Sequence, residues 1–530
     1  MATATLDLPR ARDSAPAQVN KWAVALAVAT GALLEIIDSS IVNVALMDIQ
    51  SAVGATLSQV SWVVSSYAVA NVIVLPMSAW LGQRFGKKRY FVFSLIGFVV
   101  ASMLCGMATS LPVLIGARVL QGLMGGGLLA KAQAFLYETF PREEQALAQG
   151  FFGAIVIAGP VIGPTLGGFI TTHSNWRWIF FVNVPVGILA VLLCLSALPR
   201  DPPRRAASSA DKVDWLAIAL LAVGLGSVQT VLEEGNSESW FDSLFIVALS
   251  ALAVVGLIAF VVRELRSEQP VVDLRVLRYR SLWAGSLLSI VIGIALYGAM
   301  FAVPIFAQSI LRFTSEQTGL LLLPGAIASA VTMIIASRVV RRFDPRIVLA
   351  CGGLTLVASM LWLGQLSVAT GQAQLFWPLL LRAVGTVFMF LPLNLSTIGP
   401  IPRQDVAKAT GFFNLTRQLG GSIGVALLST VLDRRIAFHR ATLVSHLTPA
   451  DPQAVARVSQ LSHIFSGQGV SDQVAHAQAL SLLDGMVQRQ ASVLSFNDTF
   501  FVTSVLVLVF LPLVFLLGKP SASADVSGAH

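Results

Sequence analysis

The stretch FFGAIVIAGPVIGPTLGG, residues 151–168, is an apolar run of helix length that contains five glycines and two prolines. In a soluble helix, each interior proline costs about 3 kcal/mol and each glycine about 1 kcal/mol relative to alanine. A lipid bilayer changes this balance, because neighbouring helices can satisfy the backbone groups that a proline frees. The composition of this stretch therefore favours a membrane helix over a soluble one.

The glycines of this stretch are periodic. Gly159, Gly163 and Gly167 recur every four residues and leave one side of the helix without side chains. Such faces allow helices to pack closely in lipid, where packing replaces the hydrophobic effect. Pro160 and Pro164 bend the helix. We expect a bent, tightly docked helix at a moving interface between two halves of the protein.

The rest of the chain supports a membrane location. Of its 530 residues, 55% are hydrophobic and only 12% are charged, against about 25% charged in ordinary globular domains. A span takes roughly 20 apolar residues and must be helical, because backbone groups in lipid have to pair internally. About fourteen such segments lie near 22–46, 60–81, 90–108, 111–137, 146–171, 178–198, 213–232, 243–262, 282–311, 317–337, 347–366, 376–399, 406–433 and 498–517.

Basic residues predict the orientation. Cytoplasmic loops are enriched in Lys and Arg, and alternate loops of this chain hold basic clusters that place both termini in the cytoplasm. These clusters are Arg84, Lys87, Lys88 and Arg89; Arg200, Arg204, Arg205 and Lys212; Arg263, Arg266, Arg275, Arg278 and Arg280; and Arg338, Arg341, Arg342 and Arg346. The outside loops hold few basic residues, and the loop around Glu233, Glu234, Glu238 and Asp242 is acidic. The net charge of +8 therefore reflects topology, and a nucleic-acid partner is not expected.

An internal repeat divides the chain. GFFGAIVIAGPVIG at 150–163 aligns without gaps to GFFNLTRQLGGSIG at 411–424, an offset of 261. Arg118 and Arg382 lie in equivalent spans at an offset of 264, and two inside loops match at 258. Repeated halves around a midplane site are typical of secondary transporters.

The repeat predicts an all-α polytopic membrane protein with two six-helix halves and two inserted helices. We expect a cytoplasmic tail at 1–21, a half at 22–198, a linker with two extra spans at 199–281, a second half at 282–517 and a cytoplasmic tail at 518–530. Residues 434–497 form a polar outside segment with apolar residues at helical spacing. This segment is either a solvated helical hairpin or a docking surface for an external partner.

The first span carries Glu35 and Asp38 on one helix face. Desolvation and mutual repulsion predict that one of these carboxylates takes up a proton near neutral pH, as a proton-coupled carrier requires. The alternative is permanent pairing with Arg118, which lies roughly 10 Å from the outer end of its span while Asp38 lies roughly 12 Å in. Lys131 lies roughly 30 Å from the outside and Glu35 roughly 17 Å, so a Glu35–Lys131 pair is not expected.

Other polar and aromatic residues of the spans are candidates for a substrate cavity. The four polar candidates of the second half either line the cavity or tie helices together. The candidates are Gln121, Tyr297, Phe301, Arg382, Asn394, Asn414 and Arg417, with Phe306 as a further aromatic wall residue. Lipid-facing packing is the alternative for each aromatic residue.

Several other functions are excluded or disfavoured. Gly420 to Gly424 spell G-x-S-x-G, but this pattern lies inside a predicted helix with no histidine in any span, so it does not predict a hydrolase. The chain has no phosphate-binding G-x-x-x-x-G-K-[ST] loop. No metal site and no cofactor are indicated. The three cysteines fall inside predicted spans, and no disulfide framework is expected.

Five motifs together resemble a known family. GPVIGPTLGG is similar to the antiporter motif of the major facilitator superfamily, RVLQG (118–122) to its buried-arginine motif and RFGKKR (84–89) to its inside-loop motif. IDSSIVNVAL (37–46) and NWRWIFFVNVP (175–185), with fourteen spans, resemble the EmrB/QacA drug:proton antiporters. The long outer segment before the last span resembles the EmrB branch.

The resemblance implies a fold and an activity. It implies the major facilitator fold and export of amphipathic toxic compounds in exchange for protons by alternating access. Asp38 would be the proton site with Arg118 as its partner in coupling. The antiporter helix would comprise Gly159, Pro160, Gly163, Pro164 and Gly167, and the inside-loop motif Arg84, Gly86, Lys87 and Arg89.

The resemblance also implies a location and partners, which are the bacterial inner membrane, a periplasmic adaptor and, through the adaptor, an outer-membrane channel. Two positions of the inside-loop motif depart from the family pattern, since this chain has Ala79 for Gly and Gln83 for Asp. Glu35 is not part of the first-span motif. A dedicated exporter or importer of one metabolite, lipid or siderophore is the alternative on the same fold.

Overall fold

The computed structural model describes residues 20–201, 213–447 and 451–517, and these residues form seventeen α-helices. The predicted tails at 1–21 and 518–530 lie almost wholly outside the described residues, as do Arg204, Arg205 and Lys212 of the predicted basic loop. Every regular secondary-structure element of the described ranges is a helix, which confirms the all-α prediction.

The helices of the first half and the inserted pair follow the predicted order of spans. They are α1 (Lys21–Val53), α2 (Leu57–Phe85), α3 (Lys87–Met107), α4 (Leu111–Gly125), α5 (Leu128–Thr139), α6 (Gln145–His173), α7 (Trp178–Phe181), α8 (Asn183–Ala197), α9 (Trp215–Glu234) and α10 (Leu244–Arg266). The second half comprises α11 (Arg280–Ser309), α12 (Ser315–Val339), α13 (Pro345–Leu363), α14 (Gln372–Ile398), α15 (Arg403–Ser445), α16 (Pro452–Ser466) and α17 (Asp472–Phe510).

Thirteen helical segments of the described residues are long and apolar enough to cross a membrane. The predicted span at 406–433 falls on α15, which is 43 residues long and therefore long enough to cross. It is not among the thirteen because its buried face carries Asn414 and Arg417, which lower its hydropathy. The fold is consistent with fourteen spans.

Local sequence explains where equivalent helices begin. The side chain of Thr56 accepts a hydrogen bond from the backbone N–H of Gln59, and the Gln59 side chain accepts one from the backbone of Thr56. Thr314 and Gln317 form the same capping box at the start of α12. Each box satisfies two backbone donors that a helix start leaves unpaired. The two boxes lie at equivalent positions of the repeated halves.

Several pairs of helices join the two halves, and two of these pairs frame the interface. One pair is α6 with α12, and the other is α2 with α15. The inserted helices α9 and α10 pack on each other, and α9 also contacts α2 of the first half and α15 of the second. At the start of α9, the Arg263 guanidinium lies 2.8 Å from the Asp214 carboxylate and holds the pKa of Asp214 below its usual range.

The fourth span is broken into α4 and α5 at Gly126 and Gly127. A Cβ atom on Gly126 would lie 3.0 Å from the Cα atom of Asn71 on α2, so only glycine allows this close approach. The break places the first backbone N–H groups of α5 inside the bundle, where they need acceptors.

The described residues of the outer segment 434–497 lie mainly in helices. It comprises the end of α15, then α16, then the first part of α17, and α16 packs against α17. The last span continues from this segment as one helix that begins at Asp472. A single helix thus extends from the outer segment into the bundle.

Candidate functional site: buried polar clusters on the bundle axis

Asp38 lies in the middle of α1 with a fully buried carboxylate. One oxygen, Oδ2, accepts a hydrogen bond from Nη1 of Arg118 on α4 at 2.7 Å. The other, Oδ1, accepts from the amides of Gln121 and Asn183, each at 2.8 Å. This Asp38 cluster joins α1, α4 and α8, and it agrees with the pairing that the matched depths of Asp38 and Arg118 predict.

Arg118 is held on several sides. Its Nε donates to the carbonyl of Val63 at 2.9 Å, and its Nη1 also donates to Gln121 at 2.7 Å. The ring of Tyr67 lies 4.2 Å from the guanidinium carbon, within cation–π range. A buried ion pair is stable only when further hydrogen bonds offset its desolvation, and this surrounding provides them.

Two members of the Asp38 cluster differ from the sequence prediction. Gln121 was assigned to the substrate cavity, whereas its side chain bonds both Asp38 and Arg118. Its position one helical turn after Arg118 places both side chains on one face of α4. Asn183 was not assigned, although an asparagine in an apolar span is itself a signal of a buried polar contact.

Glu35 lies one turn before Asp38 and is 6% exposed. Its Oε1 accepts from the Asn71 amide at 2.8 Å, and its Oε2 accepts from the backbone N–H of Leu129 at 2.9 Å. Leu129 is the second residue of α5, so Glu35 occupies the helix start that the broken fourth span exposes. Lys131 does not reach Glu35, as expected from depth; its ammonium lies 5.6 Å from the centre of the Tyr90 ring.

A second polar cluster crosses between the halves, and we name it the inner lock. Gln133 on α5 donates to Asn394 on α14 at 2.6 Å and accepts from Asn414 on α15 at 2.6 Å. Tyr137, one turn further along α5, donates to the backbone carbonyl of Asn394 at 2.9 Å. All four residues are buried. The inner lock lies in the part of the bundle that the orientation prediction places nearer the cytoplasm.

Asn394 and Asn414 were cavity candidates, with helix tying as the alternative, and the structure places them in this tie between halves. Gln133 and Tyr137 were missed. A glutamine two residues after Lys131 in an apolar helix carried the available signal, but nothing in the sequence identifies its partners.

The two remaining cationic candidates are buried differently. Arg417 is 3% exposed; its guanidinium donates to Asn414 and lies 5.3 Å from the centre of the Phe390 ring. Arg382 is 7% exposed, and among the described residues its Nε has no hydrogen-bond partner.

The aromatic candidates are spread along α11. Tyr297 and Phe301 are partly buried, and the Tyr297 ring packs where a Cβ atom on Gly421 would lie. Phe306 is 1% exposed, and its ring meets that of Phe496 on α17 edge to face at 5.4 Å. It therefore packs inside the second half, which corrects its assignment as a cavity wall residue.

The glycine face of α6 does not lie between the halves as predicted. Cβ atoms added at Gly159, Gly163 and Gly167 would collide with Ile36, Ser40 and Ile41 of α1, respectively. The face is therefore docked within the first half, and a different side of α6 contacts α12 of the second half. Pro160 and Pro164 lie inside the continuous helix α6.

The inside-loop motif is held by an acidic residue outside the motif. Gly86 has φ +94°, which favours glycine. The Asp201 carboxylate accepts from the backbone N–H groups of Lys88 and Arg89, each at 3.0 Å, at the start of α3. Lys87 pairs with Glu138 at 2.6 Å. Arg84 lies against the ring of Trp80. A charge contact is thus present although Gln83 replaces the usual acid.

The acidic residues at the outer end of α9 are part of the helix rather than of a loop. Glu234 is 3% exposed and accepts from Ser65 of α2 at 2.6 Å. Gln229 donates to Glu233 at 2.8 Å and to Ser422 of α15 at 2.7 Å. The inserted helix therefore bonds both halves, a contact that charge patterning alone did not predict.

Two repeated helical halves, with buried carboxylates and guanidiniums between membrane-spanning helices, define a polytopic secondary transporter rather than an enzyme. Residues 28–425 match the family model of the Major Facilitator Superfamily, and the chain belongs to this family.

Relatives cover almost the whole chain. The multidrug export protein EmrB of Escherichia coli strain K12 is 32% identical over 518 residues, which are 97% of this chain and 98% of the relative. The fatty acid resistance protein FarB of Neisseria gonorrhoeae is 31% identical, over 96% of this chain and 97% of the relative. These relatives confirm the resemblance to the EmrB branch.

A solved structure supports the fold. The human organic anion transporter MFSD10 superposes with a TM-score of 0.59 at 13% identity, covering 94% of this chain and all of that one. This likeness confirms the major facilitator fold that the sequence predicts.

Proposed function

We propose that this chain exports amphipathic toxic compounds by alternating access in exchange for protons, with the proton gradient as its energy source and no bound cofactor. The observation that carries the proposal is the near full-length similarity to the multidrug export protein EmrB. The buried polar clusters on the bundle axis supply groups that such an exchange needs.

The Asp38 cluster provides the chemistry for coupling. With Asp38 ionised, the carboxylate is neutralised by Arg118 and bonded to Gln121 and Asn183. A proton on Asp38 would remove the ion pair and leave the Arg118 charge to other partners. Since α1, α4 and α8 meet at this carboxylate, their packing would depend on its protonation. Arg118 is the partner in coupling.

A dedicated exporter of a lipid-like anion is the second candidate. The similarity to a fatty acid resistance protein supports it. The buried Arg382, without a partner at Nε among the described residues, also favours an anionic group on the substrate. A broad exporter and a dedicated one differ in the number of unrelated compounds that compete for transport.

We further propose the bacterial inner membrane as the location, with both termini in the cytoplasm and with residues 434–497 facing the periplasm. The basic inside loops support this orientation. The outer helices carry exposed apolar side chains that suit a protein partner, among them Phe438, Val455, Ile464 and Leu480. A periplasmic adaptor docked there would pass substrate to an outer-membrane channel.

The test is proton efflux from acid-loaded vesicles that contain the purified protein. We expect several unrelated lipophilic compounds to dissipate the gradient through the parent, and Asp38→Asn to abolish this response while the protein remains inserted. Cys351→Ser, at an exposed position, serves as the control. Full activity of a well-inserted Asp38→Asn variant would overturn Asp38 as the coupling residue. Response to a single competitor series would favour the dedicated exporter.

A further inference from the structure

Glu35 differs from Asp38 in the groups that surround it. Asp38 lies against a guanidinium, whereas Glu35 bonds an amide and a backbone N–H and forms no ion pair among the described residues. A buried carboxylate without a bonded cation is the group whose ionisation burial opposes most strongly. The two carboxylates therefore occupy environments suited to different roles.

The groups around Glu35 suit both of its protonation states. As a carboxylate it accepts from Asn71 and from Leu129. The Asn71 oxygen, Oδ1, has no hydrogen-bond partner in the described part of the chain. If the carboxyl gains a proton, rotation of the Asn71 amide presents this oxygen as an acceptor for the new O–H. Asn71 can thus serve as donor in one state and acceptor in the other.

Helix α5 connects Glu35 to the inner lock. Leu129 at its start donates to Glu35, and Gln133 and Tyr137, one and two turns further along, bond the second half. The glycines at the break free α5 from the backbone hydrogen bonds that would fix it to α4 as one rod. Because α5 is a single short helix, loss of the contact at its first turn allows the whole helix to shift. Such a shift moves Gln133 and Tyr137 of the inner lock together.

We propose that Glu35 is a protonation site separate from Asp38, and that its charge controls the inner lock. Ionised Glu35 attracts the partial positive charge at the start of α5 and keeps the lock closed. A proton that arrives from the outer side neutralises the carboxyl, releases α5 and opens the inner end. Loss of the same proton to the cytoplasm restores the carboxylate and the lock. This inference rests on the proposed function.

Few other titratable groups face Glu35. They are Asp38 on α1, Tyr67 on α2, Tyr90 on α3 and Arg417 on α15. Among the helices packed on α1, α6 brings no titratable side chain to this level and α8 contributes Cys194, which bonds Ala27 closer to the inner end. Of this set, Arg417 is the cation.

A disulfide between the halves reports the inner closure. A Cβ atom on Gly150 of α6 would lie 3.3 Å from the Cβ atom of Ser337 on α12, close to the spacing found in disulfides. Gly150→Cys with Ser337→Cys, in a Cys351→Ser background, therefore cross-links while the inner end is closed. The assay uses the full chain in vesicles and needs no substrate.

The expected result is a pH response that depends on Glu35. In the reporter protein, acidification lowers the cross-linked fraction, and the ratio of open to closed forms changes by up to about tenfold per pH unit. The Glu35→Gln reporter shows a low fraction with no such change, and it corrects for the pH dependence of thiol chemistry itself. The Glu35→Asp reporter retains the response.

Two further variants distinguish the role of Glu35 from those of the inner lock and of Asp38. Gln133→Leu removes the lock but not the carboxyl, so cross-linking is low at every pH. Asp38→Asn leaves Glu35 in place and retains the pH response. An unchanged pH response in Glu35→Gln, or its loss in Asp38→Asn alone, overturns the proposal. If the cross-link responds to pH but no compound drives proton efflux, the proposed function fails and the assignment of Glu35 stands.

Discussion

At the scale of single residues, buried charges in this protein are of two kinds. Asp38 and Arg118 neutralise each other, and Val63, Gln121 and Asn183 supply further hydrogen bonds to the pair. Arg382 lies at the equivalent position of the second half and is only 7% exposed. Its Nε has no hydrogen-bond partner in the described residues. An uncompensated buried guanidinium costs several kcal/mol, which an anion would offset. In the described residues, the second half thus holds the cation without a paired carboxylate.

Arg382→Gln tests whether this guanidinium receives an anionic group of the substrate. We expect export of carboxylate-bearing amphiphiles to fall by about tenfold to hundredfold, since a hydrogen bond to a charged group contributes about 1.5–3 kcal/mol. Export of lipophilic cations stays the same or rises. Competition assays in vesicles with matched acid and amine amphiphiles measure both, and Arg382→Lys retains part of the anion transport. An equal loss for anions and cations would contradict this role.

Sequence reasoning succeeded for residues whose partner lies at a calculable depth. Asp38 and Arg118 are each fixed by their distance from a span end, so their pairing follows from helix rise. Gln133 was missed because its partners belong to the other half, and no spacing within one helix reveals which helices face each other across the interface. Glu234 was read as part of a loop because a charge at the end of an apolar run looks the same whether it is buried or solvated.

At the scale of helices, the glycine pattern of α6 predicts close packing but does not predict the partner. Small residues at every fourth position predict only that the backbone of some other helix packs closely against this face. The structure identifies this backbone as α1, the helix that carries Glu35 and Asp38. Helix α6 therefore packs closely against the helix that carries both carboxylates. The tight docking that the sequence indicates therefore lies within the first half rather than at a sliding contact between the halves.

Gly163→Ala tests this close packing. The added methyl would lie 2.9 Å from the Ser40 Cβ atom and 3.1 Å from the Ile41 backbone nitrogen. We expect the free energy of unfolding to fall by about 1–3 kcal/mol, as for overpacked cores. The matched control is Gly116→Ala on α4, where nothing lies within 4 Å of the added atom. Thermal unfolding in detergent measures both. Equal melting temperatures for the two variants would show that α1 moves away without cost.

At the scale of the whole molecule, hydrogen bonds connect the two halves at both ends, and α15 takes part at each end. The inner lock ties α5 of the first half to α14 and α15 of the second. Near the outer end, the inserted helix α9 bonds α2 through Glu234 and α15 through Gln229, and Trp240 after α9 donates to Thr430 of α15 at 2.9 Å. Alternating access requires that closure at one end yields while the other holds. The inserted pair thus contributes to outer closure, a role that hydropathy and repeats could not indicate.

Removal of the outer hydrogen bonds of α9 and Trp240 should therefore shift the protein towards the conformation opposite to the one that loss of the inner lock favours. Thr430→Val keeps the side-chain volume but removes the acceptor for Trp240, and Ser422→Ala removes a partner of Gln229. We expect this double variant to favour the outward-open form and to raise the Gly150–Ser337 cross-linked fraction at acidic pH, where Gln133→Leu lowers it.

Ser429→Ala is the matched control for this double variant, since among the described residues its hydroxyl bonds the carbonyl of Ala426, within α15 itself. The same substrate-free cross-linking assay reports closure in both kinds of variant. The direction in which the cross-linked fraction changes therefore shows which end α9 closes. A fall in cross-linking for the double variant would mean that α9 holds the halves together at both ends. The inserted helices would then act as a hinge between the halves, and outer closure would depend on contacts between the halves themselves.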